Sequence, residues 1–264
     1  MTARDLLDLG TRRLAGAGIE NARRESEWIA AHVLGLSRSE LYAKPERPLT
    51  GSEADAAEAL LVRREAREPL AYVLGEWDFR HLKLKTDARA LVPRPETEIV
   101  VERVLALLKE IDRPRVLDVG AGSGAIALSI KDERPDAQVT GVDISVDAIA
   151  LARENAARLH LDVTFREQGV EAVAEGWDLV VSNPPYVDTL HGLQPELGFE
   201  PQTALLGNGF HARIARSAQT RFLVLEVGDG QATDVARELE AAGYRGVAVT
   251  RDLAGIERVV EGVR

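Results

Sequence analysis

The glycine-rich stretch between residues 116 and 124 places the strongest constraint on how this chain can fold. Val116-Leu-Asp-Val119 is typical of a short buried strand, and Gly120-Ala-Gly-Ser-Gly124 follows it directly. We predict a helix from Ala125 to Lys131 and then a second strand, Gln138–Val142, which ends at Asp143. Glycines after a buried strand permit a tight turn and close backbone approach to a ligand, and the N–H groups of the following helix point towards it. The stretch therefore predicts a βαβ nucleotide-binding unit.

The acidic residue at the end of the second strand strengthens this prediction. Asp143 lies 19 residues after Gly124, where a carboxylate can accept hydrogen bonds from both hydroxyls of a ribose. The glycine spacing is G-x-G-x-G, with Asp118 two residues before the first glycine, and it differs from the G-x-G-x-x-G spacing of dinucleotide-binding proteins. A glycine-rich loop alone is weak support, but the loop, its strand and the acid together favour a nucleotide-like ligand.

Strands and helices continue to alternate through the rest of the chain. We predict helices over residues 147–159, 209–219 and 231–242, strands over 163–167, 177–182, 222–227, 247–251 and 257–260, and a loop over 187–208. The last two strands have only a short connection, Asp252-Leu-Ala-Gly255, which predicts an antiparallel pair at the edge of the sheet. The fold class is therefore α/β, with a Rossmann-like sheet of seven strands that is mostly parallel with one strand reversed.

The first 75 residues have a different pattern, with apolar stripes at helical spacing and no strand pattern. Ser37-Arg-Ser-Glu40 and Thr50-Gly-Ser-Glu53 match the capping box that begins a helix. In the following segment, Trp77 and Phe79 alternate with polar residues, which predicts a β-hairpin. We therefore predict three parts: a small helical bundle domain over 1–75 for substrate or partner recognition, a linking β-hairpin over 76–90, and the α/β domain over 91–264.

The segment Asn183-Pro-Pro-Tyr186 follows a buried strand, where open α/β sheets place their ligands. Its two prolines fix φ and remove two backbone donors, so the carbonyl groups of Asn183 and Pro184 form a rigid set of acceptors beside an aromatic ring. Such a set suits the NH2 group of a planar molecule, either an amide or the exocyclic amine of a base. Asn-Pro is also ordinary turn chemistry, and the context of the motif decides between the two interpretations.

The segment Leu91-Val-Pro-Arg-Pro-Glu-Thr-Glu98 has two interpretations. Pro95, Glu96 and Glu98 are the residues that the first turn of a helix prefers, so the segment could simply be a well-capped helix start. Alternatively, the rigid turn over residues 93–95 lines the pocket of a cofactor or substrate.

Composition excludes several classes of protein. The net charge is −10, with most of the negative charge beyond residue 80, which argues against a partner held mainly by phosphate contacts although a local basic groove stays possible. We find neither an apolar run of about 18 residues that would span a membrane nor a signal peptide. The absence of cysteine excludes disulfides and thiolate metal sites and permits a cytoplasmic location.

With these motifs the chain resembles the class I S-adenosylmethionine-dependent methyltransferases, and more closely the HemK/PrmC family. That family methylates a glutamine side-chain amide in class I peptide chain release factors. The resemblance covers nearly the whole chain, and it is carried by the glycine loop, Asn183-Pro-Pro-Tyr186 and, most specifically, Pro93-Arg-Pro-Glu-Thr-Glu98. It also includes Pro69–Phe79, Leu197–Leu205 and Asp252-Leu-Ala-Gly255.

The resemblance implies roles for individual residues. The cofactor would be S-adenosyl-L-methionine, with its methionine part against Gly120, Ala121, Gly122, Ser123 and Gly124 and its ribose on Asp143. Asn183 would contact both cofactor and substrate, and Asn183, Pro184, Pro185 and Tyr186 would hold the GGQ-motif glutamine, with Asn183, Pro184 and Tyr186 as the catalytic residues. Gly169 and Val170 stand where related proteins often carry an Asp-Trp pair, so Val170 would lie at the adenine.

The implied protein is a cytoplasmic monomer that uses no metal, acts on release factors, and makes no direct contact with nucleic acid or membrane. Two other functions stay open. A nucleic-acid amino methyltransferase could use the same acceptor loop for adenine or guanine, although the acidic charge counts against it. The chain could also be a cofactor-binding scaffold without catalysis, although the intact Asn183-Pro-Pro-Tyr186 motif disfavours this.

Overall fold

The computed structural model describes residues 1–187, 189, 194–207 and 209–264. The chain divides into two compact units. The first contains Met1–Gly75 together with Gln194–Phe199, and the second contains Glu76–Leu193 and Glu200–Arg264. Part of the loop predicted over 187–208, at residues 188, 190–193 and 208, lies outside the described residues.

The first unit is helical. Its helices are α1 (Ala3–Gly16), α2 (Ala22–Leu34), α3 (Arg38–Ala43), α4 (Gly51–Glu65) and α5 (Leu70–Leu74). The capping boxes predicted at Ser37 and Thr50 are confirmed, because each hydroxyl accepts from the backbone N–H three residues later and each Glu side chain accepts in return. Thr2 and Asp5 form a third box at the start of α1, which the sequence prediction missed.

A buried ion-pair network joins distant segments of the first unit. The guanidinium of Arg64, on α4, donates to Glu25 on α2 at 2.6 Å and to Glu196 at 2.8 Å. Arg64 is only 4% exposed, so its charge has almost no access to water. Buried charges are tolerated only when they are paired, and here both carboxylates provide that pairing.

The second unit begins with the predicted hairpin, β1 (Glu76–Phe79) and β2 (Leu82–Lys85), which are paired antiparallel. Its strands then continue as β3 (Arg115–Val119), β4 (Gln138–Asp143), β5 (Thr164–Glu167), β6 (Leu179–Ser182), β7 (Phe222–Glu226), β8 (Arg245–Arg251) and β9 (Glu257–Val263). Its helices are α6 (Glu98–Leu107), α7 (Ala125–Glu133), α8 (Val146–Leu159), α9 (Gln202–Leu205), α10 (Phe210–Ser217) and α11 (Ala232–Ala241).

The main sheet has seven strands in the order β5-β4-β3-β6-β7-β9-β8. The first five strands in this order pair in parallel, and β9 runs antiparallel to both β7 and β8. The predicted fold class, with one reversed strand and an antiparallel pair at one edge, is therefore confirmed. Two buried apolar clusters cover the sheet, and they contain Val116 and Val181 in one and Leu117 and Val180 in the other.

Two local details differ from the sequence prediction. The helix start predicted around Pro95, Glu96 and Glu98 begins as a 3-10 turn, Pro95–Thr97, before α6. The stretch predicted as a continuous loop over 187–208 contains a 3-10 turn, Pro195–Phe199, and the short helix α9. Among the described residues, no helix is long and apolar enough to cross a membrane.

The hairpin is fastened to the main part of the second unit by one buried side chain. Asn155, on α8, accepts from the backbone N–H of Lys85 at 2.7 Å and donates to the Lys85 carbonyl at 3.1 Å. The same amide donates to the carbonyl of Ser123 at 3.0 Å. Asn155 thus links the hairpin to the glycine-rich loop, and it satisfies polar groups that would otherwise be buried without partners.

Candidate functional site

The candidate site lies at the carboxyl ends of the central strands. Since β3 and β6 are parallel neighbours, the glycine loop after β3 and the Asn183 motif after β6 leave the sheet side by side. The hydroxyl of Ser182 donates to the carbonyl of Val119 at 2.6 Å and is fully buried, which holds the two strand ends together. A Cβ atom placed on Gly120 would lie 3.9 Å from the carbonyl oxygen of Asn183, so the two motifs are close neighbours.

A cleft with about 840 Å³ of space, part of it open to solvent, lies at this edge. Seven of the predicted site residues line the cleft: Gly120, Gly122, Asp143, Val170, Asn183, Pro184 and Pro185. The other four, Ala121, Ser123, Gly124 and Tyr186, are not among its lining residues.

The conformation of the glycine loop explains why Gly120 and Gly122 line the cleft and Gly124 does not. Gly120, Gly122 and Gly124 have φ values of +74°, +54° and +85°, which are unfavourable for any residue with a side chain. A Cβ on Gly124 would lie 3.0 Å from Leu128 and from Phe165, so this glycine is needed for packing behind the loop. Gly120 and Gly122 instead leave their backbone open to the cleft.

Asp143 holds the loop in this shape. One of its carboxylate oxygens accepts from the backbone N–H of Gly122 at 3.0 Å, and the other accepts from the N–H of Ser145 at 2.9 Å. The N–H groups of Gly120 and Ala121 both donate to the Val142 carbonyl, one residue earlier. A carboxylate oxygen can accept more than one hydrogen bond, so Asp143 keeps acceptor capacity for a ligand in the cleft.

One wall of the cleft beyond Asp143 combines apolar surface with polar groups. Ile144 is 66% exposed although it is a large aliphatic residue, and it lines the cleft with Gln168, Gly169 and Val170. Val170 begins a 3-10 turn after β5, so it lies beside the carboxyl end of β4. Exposed aliphatic surface facing polar groups suits a flat heterocycle.

The Asn183 motif is fixed by contacts on both sides. The side-chain nitrogen of Asn183 donates to the hydroxyl of Thr97 at 3.2 Å, which leaves the amide oxygen as the remaining acceptor. The phenol of Tyr186 donates to the carboxyl group of Glu226 at 3.4 Å, and burial raises the pKa of Tyr186 to about 12. Gln231 donates to the Tyr186 carbonyl at 3.0 Å.

The turn over residues 93–95 has a supporting place in the structure. Leu91 lines the cleft, whereas Pro93, Arg94 and Pro95 are not among the lining residues. The guanidinium of Arg94 instead pairs with Glu200, a 1% exposed carboxylate that also accepts from the backbone N–H of Val92 at 3.1 Å. The turn itself therefore does not line this cleft, although the same segment supplies Leu91 and Thr97 to the site, and a place for the turn at the substrate stays a prediction.

Sequence analysis missed three residues of the site: Thr97, Glu226 and Gln231. Glu226 ends the otherwise apolar strand β7, which neighbours β6. Ligands bind at the carboxyl ends of the strands in such sheets, so the argument that singled out Asn183 could also have identified Glu226. Thr97 lies in the segment from 91 to 98, where a helix cap was the simpler interpretation. Gln231 carries no sequence signal, because its contacts depend on how the chain returns after β7.

Known proteins match both units of this chain. Residues 5–75 match the PrmC N-terminal domain, and residues 97–197 match the methyltransferase small domain. The hMettl16 catalytic domain, solved in complex with a MAT2A 3′UTR hairpin, has a TM-score of 0.53 at 15% identity and covers 81% of this chain and 82% of that one. The fold is therefore that of the class I methyltransferases.

Two relatives match over the whole length. The release factor glutamine methyltransferase of Deinococcus radiodurans is 39% identical over 100% of this chain and 99% of its own, and that of Geobacter sulfurreducens is 40% identical over 99% and 96%. The chain belongs to the release factor glutamine methyltransferase family.

Proposed function

We propose that this protein transfers a methyl group from S-adenosyl-L-methionine to the side-chain amide nitrogen of the GGQ-motif glutamine in class I peptide chain release factors. The observation that carries the proposal is the Asn183 amide in the wall of the cleft, with its nitrogen bound to Thr97 and its oxygen left as an acceptor. The membership of the chain in this family supports the choice of glutamine.

The cleft fits S-adenosyl-L-methionine. Gly120 and Gly122 leave space that a side chain would fill, so the methionine part of the cofactor can lie against the backbone of the loop. Asp143 would accept from the ribose hydroxyls, and Ile144 and Val170 would pack on the adenine. When bound, this cofactor supplies a methyl group on a positively charged sulfur, which an uncharged nitrogen can attack.

The residues of the motif prepare the substrate amide for attack. A carboxamide nitrogen is a poor nucleophile because its lone pair is delocalised into the carbonyl group. The amide oxygen of Asn183 and the carbonyl oxygen of Pro184 would accept the two N–H groups of the glutamine and fix the direction of that lone pair. The product nitrogen gives its extra proton to water, so no strongly basic side chain is required.

Orientation is the main contribution of this site to the rate. Alignment of two held reactants lowers a barrier by up to about 7–11 kcal/mol in the best model reactions. Pro184 and Pro185 reduce the freedom of the loop, and Gln231 fixes the carbonyl that follows it. The aromatic ring of Tyr186 would pack against the plane of the bound amide.

The helical first unit is proposed to recognise the release factor, and the protein is proposed to act as a cytoplasmic monomer without direct contact with nucleic acid. The acidic net charge of −10 supports a protein substrate, since nucleic-acid binding relies on basic side chains. Light scattering with and without a release factor measures both the oligomeric state and the complex.

A labelling experiment tests the proposed function. The protein is incubated with S-adenosyl-L-methionine carrying a radiolabelled methyl group and with either purified release factor or nucleic acid. Label on the glutamine of the release factor, absent when that glutamine is replaced, supports the proposal. Label on nucleic acid alone would replace it with the amino methyltransferase alternative, and label on neither would leave a cofactor-binding scaffold.

The Asn183→Ala variant tests the role of the motif in the same assay. We expect kcat to fall at least about 100-fold, as when one preorganised polar group is removed from an active site, and the Kd of the cofactor to change much less. Asn21→Ala is the control, because Asn21 is exposed and makes no side-chain cap hydrogen bond within the described chain. Near-native turnover in Asn183→Ala would contradict the mechanism.

A further inference from the structure

The Thr97 hydroxyl is committed to the Asn183 motif. Thr97 ends the 3-10 turn that leads into α6, and its own backbone is helical, with φ −67° and ψ −19°. Among the described residues its hydroxyl caps no helix N–H, and it accepts from the side-chain nitrogen of Asn183 at 3.2 Å. Thr97 is 4% exposed, so water does not compete freely for this contact. The hydroxyl therefore serves the Asn183 motif and not the helix end.

Glu226 lies behind the same motif. It is 1% exposed, and one carboxyl oxygen accepts from the phenol of Tyr186 at 3.4 Å. Its other oxygen is buried without a hydrogen-bond partner within the described part of the chain, where no Lys or Arg lies close enough to form an ion pair with it. Burying a carboxyl group in this state costs free energy, so a purely structural role explains it poorly.

The Thr97 hydroxyl also affects the Glu226 carboxyl group. Burial raises the pKa of Glu226 to about 7, while the nearby hydroxyls of Thr97 and Tyr186 oppose that rise. The Thr97 hydroxyl, which already accepts from Asn183, can therefore offer its proton to the unpartnered oxygen of Glu226. A hydroxyl has a single proton, so a hydroxyl that donates to a carboxylate can only accept from its other neighbour.

We propose that Glu226 and Thr97 are positioning residues, which fix the Asn183 side chain with its nitrogen inwards and its oxygen towards the substrate amide. This inference rests on the proposed function. The unpartnered oxygen of ionised Glu226 accepts a hydrogen bond from the Thr97 hydroxyl, and Thr97 then accepts only the N–H of Asn183. Without that carboxylate, Thr97 can donate to the Asn183 oxygen, and the amide can turn its NH2 group towards the NH2 group of the glutamine. Two donors would then face each other, and the substrate would lose its acceptor.

The groups around Glu226 define the expected pH dependence. Arg258, on β9, favours the charged carboxylate, whereas Glu96, in the 3-10 turn, opposes it. From α10, a ring nitrogen of His211 lies 2.8 Å from the backbone carbonyl of Glu226, and burial lowers the pKa of that imidazole. Because the pKa of the carboxyl group is raised to about 7, positioning is complete above that pH and is lost as the pH falls through it.

Three variants test the Thr97 contact. We expect Thr97→Val, which keeps the shape but removes the hydroxyl, to lower kcat about 100-fold, as displaced catalytic groups commonly do, while the KM for S-adenosyl-L-methionine changes less than about twofold. Thr97→Ser restores the hydroxyl, and its kcat is expected within about threefold of the wild type, since the hydrogen bond is retained. The control is Thr220→Val, because Thr220 is also buried but donates to the carbonyl of Trp177, away from the cleft residues.

The Glu226→Gln variant tests the carboxylate. The wild-type kcat is expected to rise with pH through about 7, and the variant, whose side chain does not titrate, is expected to lack that rise. Glu261→Gln is the control, since Glu261 is likewise buried in the sheet but pairs with Arg103. A Glu226→Gln profile that still rises with pH as the wild type does, or a Thr97→Val enzyme with wild-type kcat, would overturn the inference.

An NMR measurement separates this inference from the proposed function. The side-chain amide signals of Asn183 are assigned by their absence in Asn183→Ala, and they are recorded without substrate. We expect these signals to shift in Thr97→Val and in Glu226→Gln but not in Thr220→Val. If the wild type methylates no release factor, the proposed function fails, and the signals still report the positioning contacts. If methylation occurs and the signals do not respond, the inference alone fails.

Discussion

The carboxyl group of Asp118 accepts a hydrogen bond from the backbone N–H of Ala127, nine residues later, at 3.1 Å. Ala127 is in the first turn of α7, whose N-cap residue is Gly124 and has no side chain to cap the helix. The acid two residues before the glycine loop thus supplies the missing acceptor. Asp118 is fully buried, and this burial, reinforced by the negative charge of Asp143, raises its pKa from 3.8 to about 7.

The raised pKa of Asp118 makes stability depend on pH. Between about pH 4 and pH 7 the folded state binds more protons at Asp118 than the unfolded state does, so its contribution to the free energy of unfolding falls as the pH rises. We expect Asp118→Asn, which does not titrate, to gain stability relative to the wild type from pH 5 to pH 8, as measured by urea unfolding. Asp136→Asn is the control, since Arg134 lowers the pKa of the exposed Asp136. The difference in free energy of unfolding between this variant and the wild type should therefore stay constant from pH 5 to pH 8. A constant difference for Asp118→Asn as well would contradict the assignment.

The left-handed conformation of Gly122 can be tested against a glycine of similar geometry. Alanine in this conformation costs roughly 1–2 kcal/mol, so Gly122→Ala and Gly35→Ala should lose similar stability. Gly35 ends α2 with a φ of +60° and open space around it. Only Gly122→Ala should weaken the binding of S-adenosyl-L-methionine, by about tenfold or 1.4 kcal/mol. Titration calorimetry measures this, and equal cofactor affinity in the two variants would argue against contact between the loop and the cofactor.

The buried Arg64 should be far more important for stability than an exposed arginine. Removing it leaves Glu25 and Glu196 without their shared partner, which typically costs about 3–5 kcal/mol for a buried pair. Arg64→Ala should therefore lower the urea midpoint of the helical unit strongly. In the control Arg4→Ala, the exposed pair with Glu46 is lost, at a cost below about 1 kcal/mol. Similar losses in both variants would show that the buried network contributes little.

Gln231 should contribute to turnover through the carbonyl group of Tyr186. Its side chain donates to that carbonyl at 3.0 Å and accepts from the N–H of Gly228 at 3.0 Å, which bridges the loops after β6 and β7. Because a loosened loop misplaces the acceptors, we expect Gln231→Ala to lower kcat about tenfold while the KM for the cofactor stays within about twofold. The exposed Gln138→Ala is the control. A changed cofactor KM with unchanged kcat would point to a different role.

Much of the fold followed from local patterns. Short apolar runs, glycine turns and alternating periods predicted the order of the strands and helices and the reversed strand at the sheet edge, because each strand of a parallel sheet is buried on both faces. Capping boxes at Ser37 and Thr50 predicted two helix starts, since the four residues of each box are adjacent in the chain. The 3-10 turn at Pro95–Thr97 was missed, because helix patterns at this length do not separate the two kinds of helix.

The sequence by itself determined the identity of the glycine loop, of Asp143 and of the Asn183 motif, because a strand that ends in glycines or in Asn-Pro-Pro must present those residues at its carboxyl end. Only the tertiary structure decided what orients them. Thr97 reaches Asn183 across 86 positions of the chain and Tyr186 reaches Glu226 across 40, so no local pattern records either contact. Asn183-Pro-Pro-Tyr186 became an oriented acceptor through packing, since Thr97, in the 3-10 turn before α6, binds the amide nitrogen and leaves the oxygen for a ligand.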